Sequence, residues 1–357
     1  MTLAIGLMSG TSADGLDAAL VKLDPQPQLI ASHSHRYSSE LSQQLRQLAL
    51  AQQVAVDELM AVQHQLAQCS VHSVHALLQS AGVTASEVSV IGSHGHTLRH
   101  RPQPQGFSWQ LDDPSWIAEH TGICVVADMR RRDIAAGGQG APLVPAFHRA
   151  MMAEHNGMVL NIGGIANLTV LQGDDVHGFD CGPGNTLLDE YCQQQQLGRC
   201  DIGGQLAAQG QADMVLVEQW LQHEFFQCPP PRSTGRELFH LAHYPQLVSL
   251  AEADALATLT QFSAASIAAA INAYGLPQGP LWVCGGGVHN ATLMQALQTA
   301  LPHHALASTE VLGMDPDWVE AMAFAWLAQQ TLTHQAGSLA SVTGARGGRI
   351  LGGIYPA

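Results

Sequence analysis

The chain of 357 residues contains a single lysine, Lys22. A Walker-type phosphate loop needs a lysine followed by Ser or Thr, and a protein-kinase fold needs a strand lysine behind a glycine-rich loop. Leu23 follows Lys22 inside a strand-like segment, so neither device is available. If this protein binds nucleotide phosphates, it does so with backbone N–H groups, hydroxyl groups, arginine or metal.

Charge, cysteine and hydropathy patterns exclude further classes. Only 12% of the residues are charged, and 29 acidic residues outnumber 14 basic ones, so no basic surface would attract a nucleic acid. The seven cysteines are scattered without a CxxC pair, which argues against a disulfide framework and a zinc knuckle. The N-terminal segment lacks the pattern of a signal peptide, and no stretch of 18 apolar residues is present. We expect a cytoplasmic protein without a nucleic-acid or membrane partner.

The strand and helix pattern occurs twice along the chain. The segment MVLNIGGIANLTVL, which includes Met158, repeats the strand, glycine turn and strand of AIGLMSGTSADGLDAALVKL at the beginning. Because 46% of the residues are apolar and the chain exceeds the usual size of one core, the repeat predicts two α/β lobes with a cleft between them. We expect the boundary near residues 128–142. The predicted elements are strands over 3–8, 16–23, 28–35, 88–92, 123–127 and 281–284, helices over 39–50, 57–80, 114–120, 186–196 and 252–274, a helix after Asn290, and a loop or ribbon over 97–110.

Three glycine-rich segments are candidates for binding phosphate. The first two, GTSADGLD and NIGGIANLT, lie at equivalent turns of the two halves, although an ordinary β-turn would also explain Gly15. The third, CGGGVHN, ends a strand and precedes a helix, so its N–H groups favour a nucleotide. It is not a dinucleotide-binding motif, because Asn290 replaces the third glycine. The candidate residues are Gly10, Thr11, Ser12, Ala13, Asp14, Gly15, Leu16, Asp17, Gly163, Gly164, Gly285, Gly286 and Gly287.

The order of these segments resembles the two phosphate motifs and the adenosine motif of the superfamily that includes actin, hexokinases, acetate kinase and heat-shock chaperone ATPases. Seven strings that span nearly the whole chain are similar to the anhydro-N-acetylmuramic acid kinase family. The strings are GLMSGTSADGLD, DMRRRDIAAGGQGAPLVP, NIGGIAN, FDCGPGN, STGRELF, CGGGVHN and DWVEAMAFAWLA.

The resemblance implies an α/β fold of two actin-like, ribonuclease-H-like lobes with an interlobe active-site cleft. The expected lobes are residues 1–128, joined by a C-terminal segment of about 336–357, and residues 129–335. The implied reaction uses ATP and Mg²⁺ to phosphorylate O6 of 1,6-anhydro-N-acetylmuramic acid and to hydrolyse its anhydro bond, giving N-acetylmuramic acid 6-phosphate and ADP in cell-wall recycling. The resemblance also suggests a homodimer.

Three further residues take roles from the resemblance. Asp180 precedes a Gly/Pro turn, where a carboxylate would otherwise serve as a turn or cap residue, and the family places the water-activating catalytic base at this position. Arg130 begins a run of three arginines and is carried over as a binding residue for the substrate, whose lactyl group supplies a carboxylate. Glu320 is placed near the sugar. Ser9 and Asn161 stand where the superfamily usually carries aspartates, so Asp14 and Asp180 are both candidate Mg²⁺ ligands.

Three different functions remain open at this point. His94, His96 and His100 form the densest histidine cluster, and an HxH pair on a strand would present both rings on one face, as a zinc-dependent hydrolase requires. No HExxH motif completes such a site, so we favour polar histidines that line the cleft. The chain would also be compatible with a different amino-sugar kinase or with a nucleotide-driven clamp that has no small substrate.

Overall fold

The computed structural model describes residues 2–102, 106–152, 155–230, 232–235, 238–274 and 278–357. Its strands are β1 (Leu3–Ser9), β2 (Gly15–Lys22), β3 (Gln28–Arg36), β4 (Val88–Arg101), β5 (Phe107–Leu111), β6 (Val125–Ala127), β7 (Gly157–Ile162), β8 (Ile165–Gln172), β9 (Asp175–Pro183), β10 (Pro280–Cys284), β11 (Ala305–Ser308) and β12 (Gly353–Tyr355). Its α-helices are α1 (Ser39–Leu50), α2 (Val56–Ala81), α3 (Pro114–Thr121), α4 (Arg131–Ala135), α5 (Val144–Met151), α6 (Thr186–Gln194), α7 (Met214–Trp220), α8 (Glu224–Gln227), α9 (Glu252–Ala273), α10 (Ala291–Ala300), α11 (Val319–Leu332) and α12 (Ala340–Thr343).

Two β-sheets share one strand order. The first runs β12-β6-β4-β1-β2-β3, with β5 paired to β4, and the second runs β11-β10-β7-β8-β9. Each sheet contains three consecutive antiparallel strands, β1-β2-β3 in the first and β7-β8-β9 in the second. The next strand of each sheet lies parallel to the first of the three, so β4 pairs with β1 and β10 pairs with β7. The α/β class and the internal repeat predicted from the sequence are therefore confirmed.

The chain divides into two compact units, Met1–Ala153 with Trp318–Ala357 and Glu154–Asp317. This division differs from the boundaries expected at 128/129 and 335/336. Helix α11 belongs to the first unit because it packs on the first sheet. Helix α5 belongs to the same unit because it packs on α11, where the ring centroids of Phe147 and Trp326 are 6.1 Å apart. The first unit therefore includes more of the chain on both sides of the second unit.

Alternation along β1 sets the two faces of the first sheet. Leu3, Ile5 and Leu7 are buried in the core cluster that includes residues of α2. Gly6 lies on the other face, where a Cβ would come within 1.7 Å of the backbone carbonyl oxygen of Ala321 in α11. A Cβ on its neighbour in register, Gly92 of β4, would come within 2.0 Å of the carbonyl oxygen of Phe324 in α11. Two paired glycines therefore let the α11 backbone contact the sheet directly.

Strand β4 is longer than the predicted strand over 88–92. It continues past the central sheet and pairs with β5 as an antiparallel ribbon, so the ribbon predicted as one possibility for 97–110 is observed, with residues 103–105 outside the described part. Gly95 has a φ of +71°, and the register with β1 shifts beside it. This irregularity separates the central part of β4 from the ribbon.

Helix α9 is the central helix of the second unit. Among the described residues it is the one helix long and apolar enough to cross a membrane, and 78% of its most apolar window is buried inside the structure. Its residues contribute to both apolar clusters of this unit, with Ile267 packed near the second sheet and Phe262 packed among Trp220 and Tyr244. We therefore interpret α9 as a core helix.

Candidate active site

The first glycine-rich loop is short and tightly bonded. Between β1 and β2, the N–H of Ala13 donates to the carbonyl of Gly10 at 3.1 Å, and the Ser12 hydroxyl donates to the Asp14 carboxylate at 2.5 Å. Of the predicted residues in this segment, Gly15, Leu16 and Asp17 belong to β2 instead of the loop. A Cβ on Gly15 would lie 2.7 Å from the carbonyl oxygen of a residue in the neighbouring strand, so strand pairing alone explains that glycine.

The second loop lies between β7 and β8. The carbonyl oxygen of Gly163 accepts from the N–H of Asn185 at 2.9 Å, and that of Gly164 accepts from the N–H groups of Gly184 and Thr186. The segment FDCGPGN therefore fixes the turn of NIGGIAN.

The third loop combines one exposed glycine with two packed ones. Gly285 has a φ of +80°, and a Cβ on it would lie 2.4 Å from the Asn161 side chain, whereas Gly287 packs against Ile162. The second and third loops are thus adjacent. A 3-10 turn follows, and the Asn290 side chain then accepts from the N–H of Leu293 as the N-cap of α10. The residue that breaks the dinucleotide motif therefore caps the helix.

Three glycines, one in each loop, have open space where a side chain would lie, unlike the packed glycines of the same loops. They are Gly10, Gly163 and Gly286. None has a φ in the left-handed region, and a Cβ on each would meet no heavy atom closer than 3.7 Å. Neither backbone conformation nor packing therefore requires glycine at these three positions, one in each loop. Close approach of a ligand to the backbone is one physical reason for glycine there.

A polar atom at the second and third loops also lacks a partner. The Oδ1 atom of Asn161 is fully enclosed and accepts no hydrogen bond, and the residue lies next to the last residue of β7, close to Gly163 and Gly285. A buried acceptor without a donor is costly, so a bound donor such as a coordinated water or a hydroxyl would satisfy it.

Asp180 is held by a segment far away in the sequence. It lies on β9 opposite Asn167 of β8, and its side chain is only 9% exposed. The Oδ2 atom accepts from the N–H of Thr234 at 2.7 Å, and the main chain of Asp180 exchanges hydrogen bonds with Arg232. The carboxylate is therefore fixed in direction on a buried strand.

Arg232 and Thr234 are residues that the sequence interpretation did not single out. The Arg232 guanidinium donates to the carbonyl oxygens of Asp180 and Cys228, and it lies 4.8 Å from the centroid of the Phe225 ring. Burial lowers the pKa of Arg232 from its usual value. The only available signal was the family-like string STGRELF, of which residues 236–237 lie outside the described part.

Arg130 and His94 form a fixed pair in the first unit. The guanidinium donates to the carbonyl oxygen of Gly140 at 2.9 Å and to Nε2 of His94 at 2.8 Å. Because a guanidinium only donates, Nε2 accepts, and Nδ1 of His94 donates to the carbonyl oxygen of Gly95. Burial and the Arg130 charge lower the pKa of His94 well below its usual value, so the ring is neutral. Arg131 instead pairs with Asp128 on the surface.

The other histidines of the cluster have separate partners. His96 bonds the Ser9 hydroxyl and His100 bonds the Ser108 hydroxyl, at 2.9 and 3.0 Å. His94 and His96 do not present their rings on one face as an HxH pair on a regular strand would, because Gly95 between them has a left-handed conformation. Within the described ranges, no group of three or more His, Cys, Asp and Glu residues is arranged to hold a metal ion.

Two carboxylates of the expected site region have different environments. Glu320 is half-buried in the first turn of α11 and belongs to the first unit with Arg130 and the first loop. Asp133 was not singled out, although it lies in the same string as Arg130. It is fully buried and accepts from the N–H of Gly140 and from the hydroxyl of Thr343, so it shapes the segment that holds Arg130.

The donor set suits a hydrated Mg²⁺ better than a protein-caged metal. Mg²⁺ commonly takes one or two carboxylates together with water and substrate phosphates, so it needs no cluster of three side chains. In the first unit Asp14 supplies an exposed carboxylate at the first loop, and in the second unit Asp180 supplies a carboxylate on β9. Each carboxylate by itself is of the kind that such an ion takes.

The sheets and loops define the fold class of the protein. Two units with the same strand order and glycine loops after the first strand of each agree with the fold that the sequence resemblance implied. The structure matches component A of (R)-2-hydroxyglutaryl-CoA dehydratase from Acidaminococcus fermentans with a TM-score of 0.51, covering 93% of this chain and 100% of that chain at 11% identity. This likeness concerns the fold, and it confirms the expected fold class.

The sequence comparisons define the family. A model of the anhydro-N-acetylmuramic acid kinase family matches residues 2–357. Proteins of that name from Xanthomonas campestris pv. campestris (strain 8004) and Hahella chejuensis are each 46% identical to this chain, covering 99% of it and 97% and 98% of the relatives. The relative from Shewanella amazonensis is 48% identical over 100% of this chain and 99% of its own length. The chain belongs to the anhydro-N-acetylmuramic acid kinase family, as its sequence strings predicted. Membership in a kinase family implies the use of a nucleotide and a small-molecule substrate.

Proposed function

We propose that this protein transfers the γ-phosphoryl group of ATP to O6 of 1,6-anhydro-N-acetylmuramic acid and hydrolyses the anhydro bond, giving N-acetylmuramic acid 6-phosphate and ADP. The family match over residues 2–357 supports the substrate. The observation that supports phosphate binding most directly is the open space at three glycines of the loops. The structure has room for a side chain at Gly10, Gly163 and Gly286, yet the sequence has glycine at each.

The three loops bind the nucleotide through their backbone. The chain's only lysine, Lys22, lies at the end of β2, so N–H groups and the hydroxyls of Thr11 and Ser12 take the place of a phosphate-binding lysine. Asp14 is the carboxylate proposed to hold Mg²⁺ directly or through water, and Asp180 would contact the ion only through water, because a carboxylate bound directly to the ion is a poor base. When bound, the ion neutralises charge on the phosphate oxygens.

Asp180 activates the attacking water. In the anhydro sugar O6 bridges to C1 and carries no proton, so it becomes a nucleophile toward phosphorus only as its bond to C1 breaks. A water that loses its proton to Asp180 attacks C1, which tolerates positive charge, while O6 takes the phosphoryl group. The hydrogen bond from the N–H of Thr234 to Oδ2 orients the carboxylate for this task.

Arg130 and Glu320 bind the sugar. The Arg130 guanidinium is held by Gly140 and the neutral His94, so little side-chain freedom is lost when it binds the lactyl carboxylate of the substrate. Glu320 accepts hydrogen bonds from the sugar. We further propose that the protein acts in the cytoplasm in cell-wall recycling and that it forms a homodimer.

Release of ADP with a panel of sugars tests the proposal. With Mg²⁺ and ATP, we expect 1,6-anhydro-N-acetylmuramic acid to raise ADP release at least about 100-fold above the rate without sugar, whereas glucose and N-acetylglucosamine leave it unchanged. N-acetylmuramic acid tests whether the anhydro bond is required. ADP release that no sugar accelerates, or that only sugars without the anhydro bond accelerate, would contradict the proposal.

A further inference from the structure

Tyr37 is bonded to both ends of the first glycine loop. Its backbone N–H donates to the carbonyl oxygen of Asp14, the last residue of the loop, at 3.1 Å. Its phenol donates to the hydroxyl of Ser9, the residue just before the loop, at 2.9 Å. One residue that follows β3 therefore spans the loop Gly10–Asp14 from one end to the other.

The contact through Ser9 continues into β4. The Ser9 oxygen lies 2.9 Å from Nδ1 of His96, so Tyr37, Ser9 and His96 form one chain of buried hydrogen bonds. The three side chains are between 2% and 8% exposed. Burial raises the pKa of Tyr37 above its usual value, so the phenol stays protonated and remains a donor. The chain thus fixes the start of the loop to the sheet beneath it.

The loop conformation needs such a restraint. Ala13 has a φ of +54°, a left-handed conformation that residues with a Cβ rarely adopt, and its side chain is buried. A strained residue keeps this conformation only when its surroundings impose it. The internal hydrogen bonds from Ala13 to Gly10 and from Ser12 to Asp14 are part of that restraint, and the two bonds from Tyr37 add to it.

We propose that Tyr37 is a positioning residue for the nucleotide, which holds the loop Gly10–Asp14 in its phosphate-binding shape through Ser9 and Asp14 without contacting the ligand. This inference rests on the proposed role of the loop in binding ATP. It implies that removing the phenol hydroxyl weakens the response to ATP and leaves the response to the sugar unchanged.

Tyr37→Phe in the full-length protein tests the inference, because it keeps the ring and removes only the donor. We expect KM for ATP, and Kd for a non-hydrolysable ATP analogue, to rise about tenfold, with KM for the sugar within twofold of the wild type. Ser9→Ala should have at least the same effect because it also removes the contact with His96, and the double variant should be no worse than Ser9→Ala alone, because the Tyr37 phenol acts through the Ser9 hydroxyl. Tyr244→Phe is the matched control, since Tyr244 is also 8% exposed but packs with Trp220 and Phe262 in the other unit.

The inference would be overturned if KM for ATP and Kd for the ATP analogue were unchanged in both Tyr37→Phe and Ser9→Ala. An equal rise in KM for ATP and for the sugar would also overturn it, because that result indicates a general structural role. Additive losses in the double variant would also overturn it. If the wild type does not phosphorylate the sugar, the proposed function fails by itself, and Kd for the ATP analogue still decides the role of Tyr37. If Tyr37→Phe does not fold, Ser9→Ala provides the same comparison.

Discussion

Asp180→Asn is expected to lower kcat about 1,000-fold, since a positioned general base contributes between about 100-fold and 10,000-fold and an amide cannot take a proton from water. The fold should persist. An Asn oxygen can still accept from the N–H of Thr234, and the backbone bonds with Arg232 do not involve the side chain. We also expect KM for the sugar to change little, because the isosteric side chain removes an interaction of the transition state.

Asp201→Asn is the matched control for this prediction. Asp201 is 7% exposed in the same unit, and its two oxygens accept from the N–H groups of Leu206 and Ala207, so its carboxylate has a structural role. The variant should lose about 1–3 kcal/mol of stability and keep its activity at low temperature. An Asp180→Asn variant that retains more than about a tenth of the wild-type kcat would remove Asp180 as the base.

Gly286→Val is expected to raise Kd for ATP about 100-fold, which corresponds to about 2.7 kcal/mol, without lowering the melting temperature. No heavy atom lies within 4 Å of the Cβ position, so the side chain fits the protein without its ligand. It would occupy the space into which we place the nucleotide. Gly163→Val, at the second loop, should behave in the same way because its Cβ position is also open. Calorimetry with ATP and a thermal unfolding curve for each variant measure the two quantities.

Gly353→Val is the control for the glycine variants. Gly353 has no left-handed φ, a Cβ there would meet its nearest neighbour at 3.5 Å, and it lies in β12, where a β-branched residue is favourable. Its affinity for ATP should equal that of the wild type. Wild-type affinity in both Gly286→Val and Gly163→Val would show that these loops do not contact the phosphates.

The repeated fold could be predicted from the sequence because its signals are local. The strand, glycine turn and strand around Gly10 recur around Gly163, and the two sheets have the corresponding strand order. The limits of the two units were not predictable in the same way. They depend on α11 packing on β1 through Gly6 and on β4 through Gly92, and those contacts join residues that are far apart in the sequence.

The sequence motifs indicated candidate site residues such as Asp180 and Arg130. They did not indicate the residues distant in the sequence that hold those segments in place. The hydrogen bond from Thr234 to Asp180 joins positions 54 apart, and the bond from Thr343 to Asp133 joins positions 210 apart. No periodicity connects such residues. The roles of Asp180, Arg130 and Glu320, the interlobe cleft and the homodimer stay predictions, whereas the family is confirmed over residues 2–357.

The reaction carried out in oxygen-18 water tests the central claim most directly, because the proposed chemistry sends the oxygen of water to carbon and the phosphoryl group to O6. The reaction should be quenched early, with unlabelled product incubated in the same water to measure exchange at C1. Mass spectrometry of the sugar phosphate should then find the label on the C1 hydroxyl and none in the phosphate ester. Label in the transferred phosphate, or a C1 hydroxyl labelled no more than the exchange control, would contradict a water that attacks C1 with the help of Asp180.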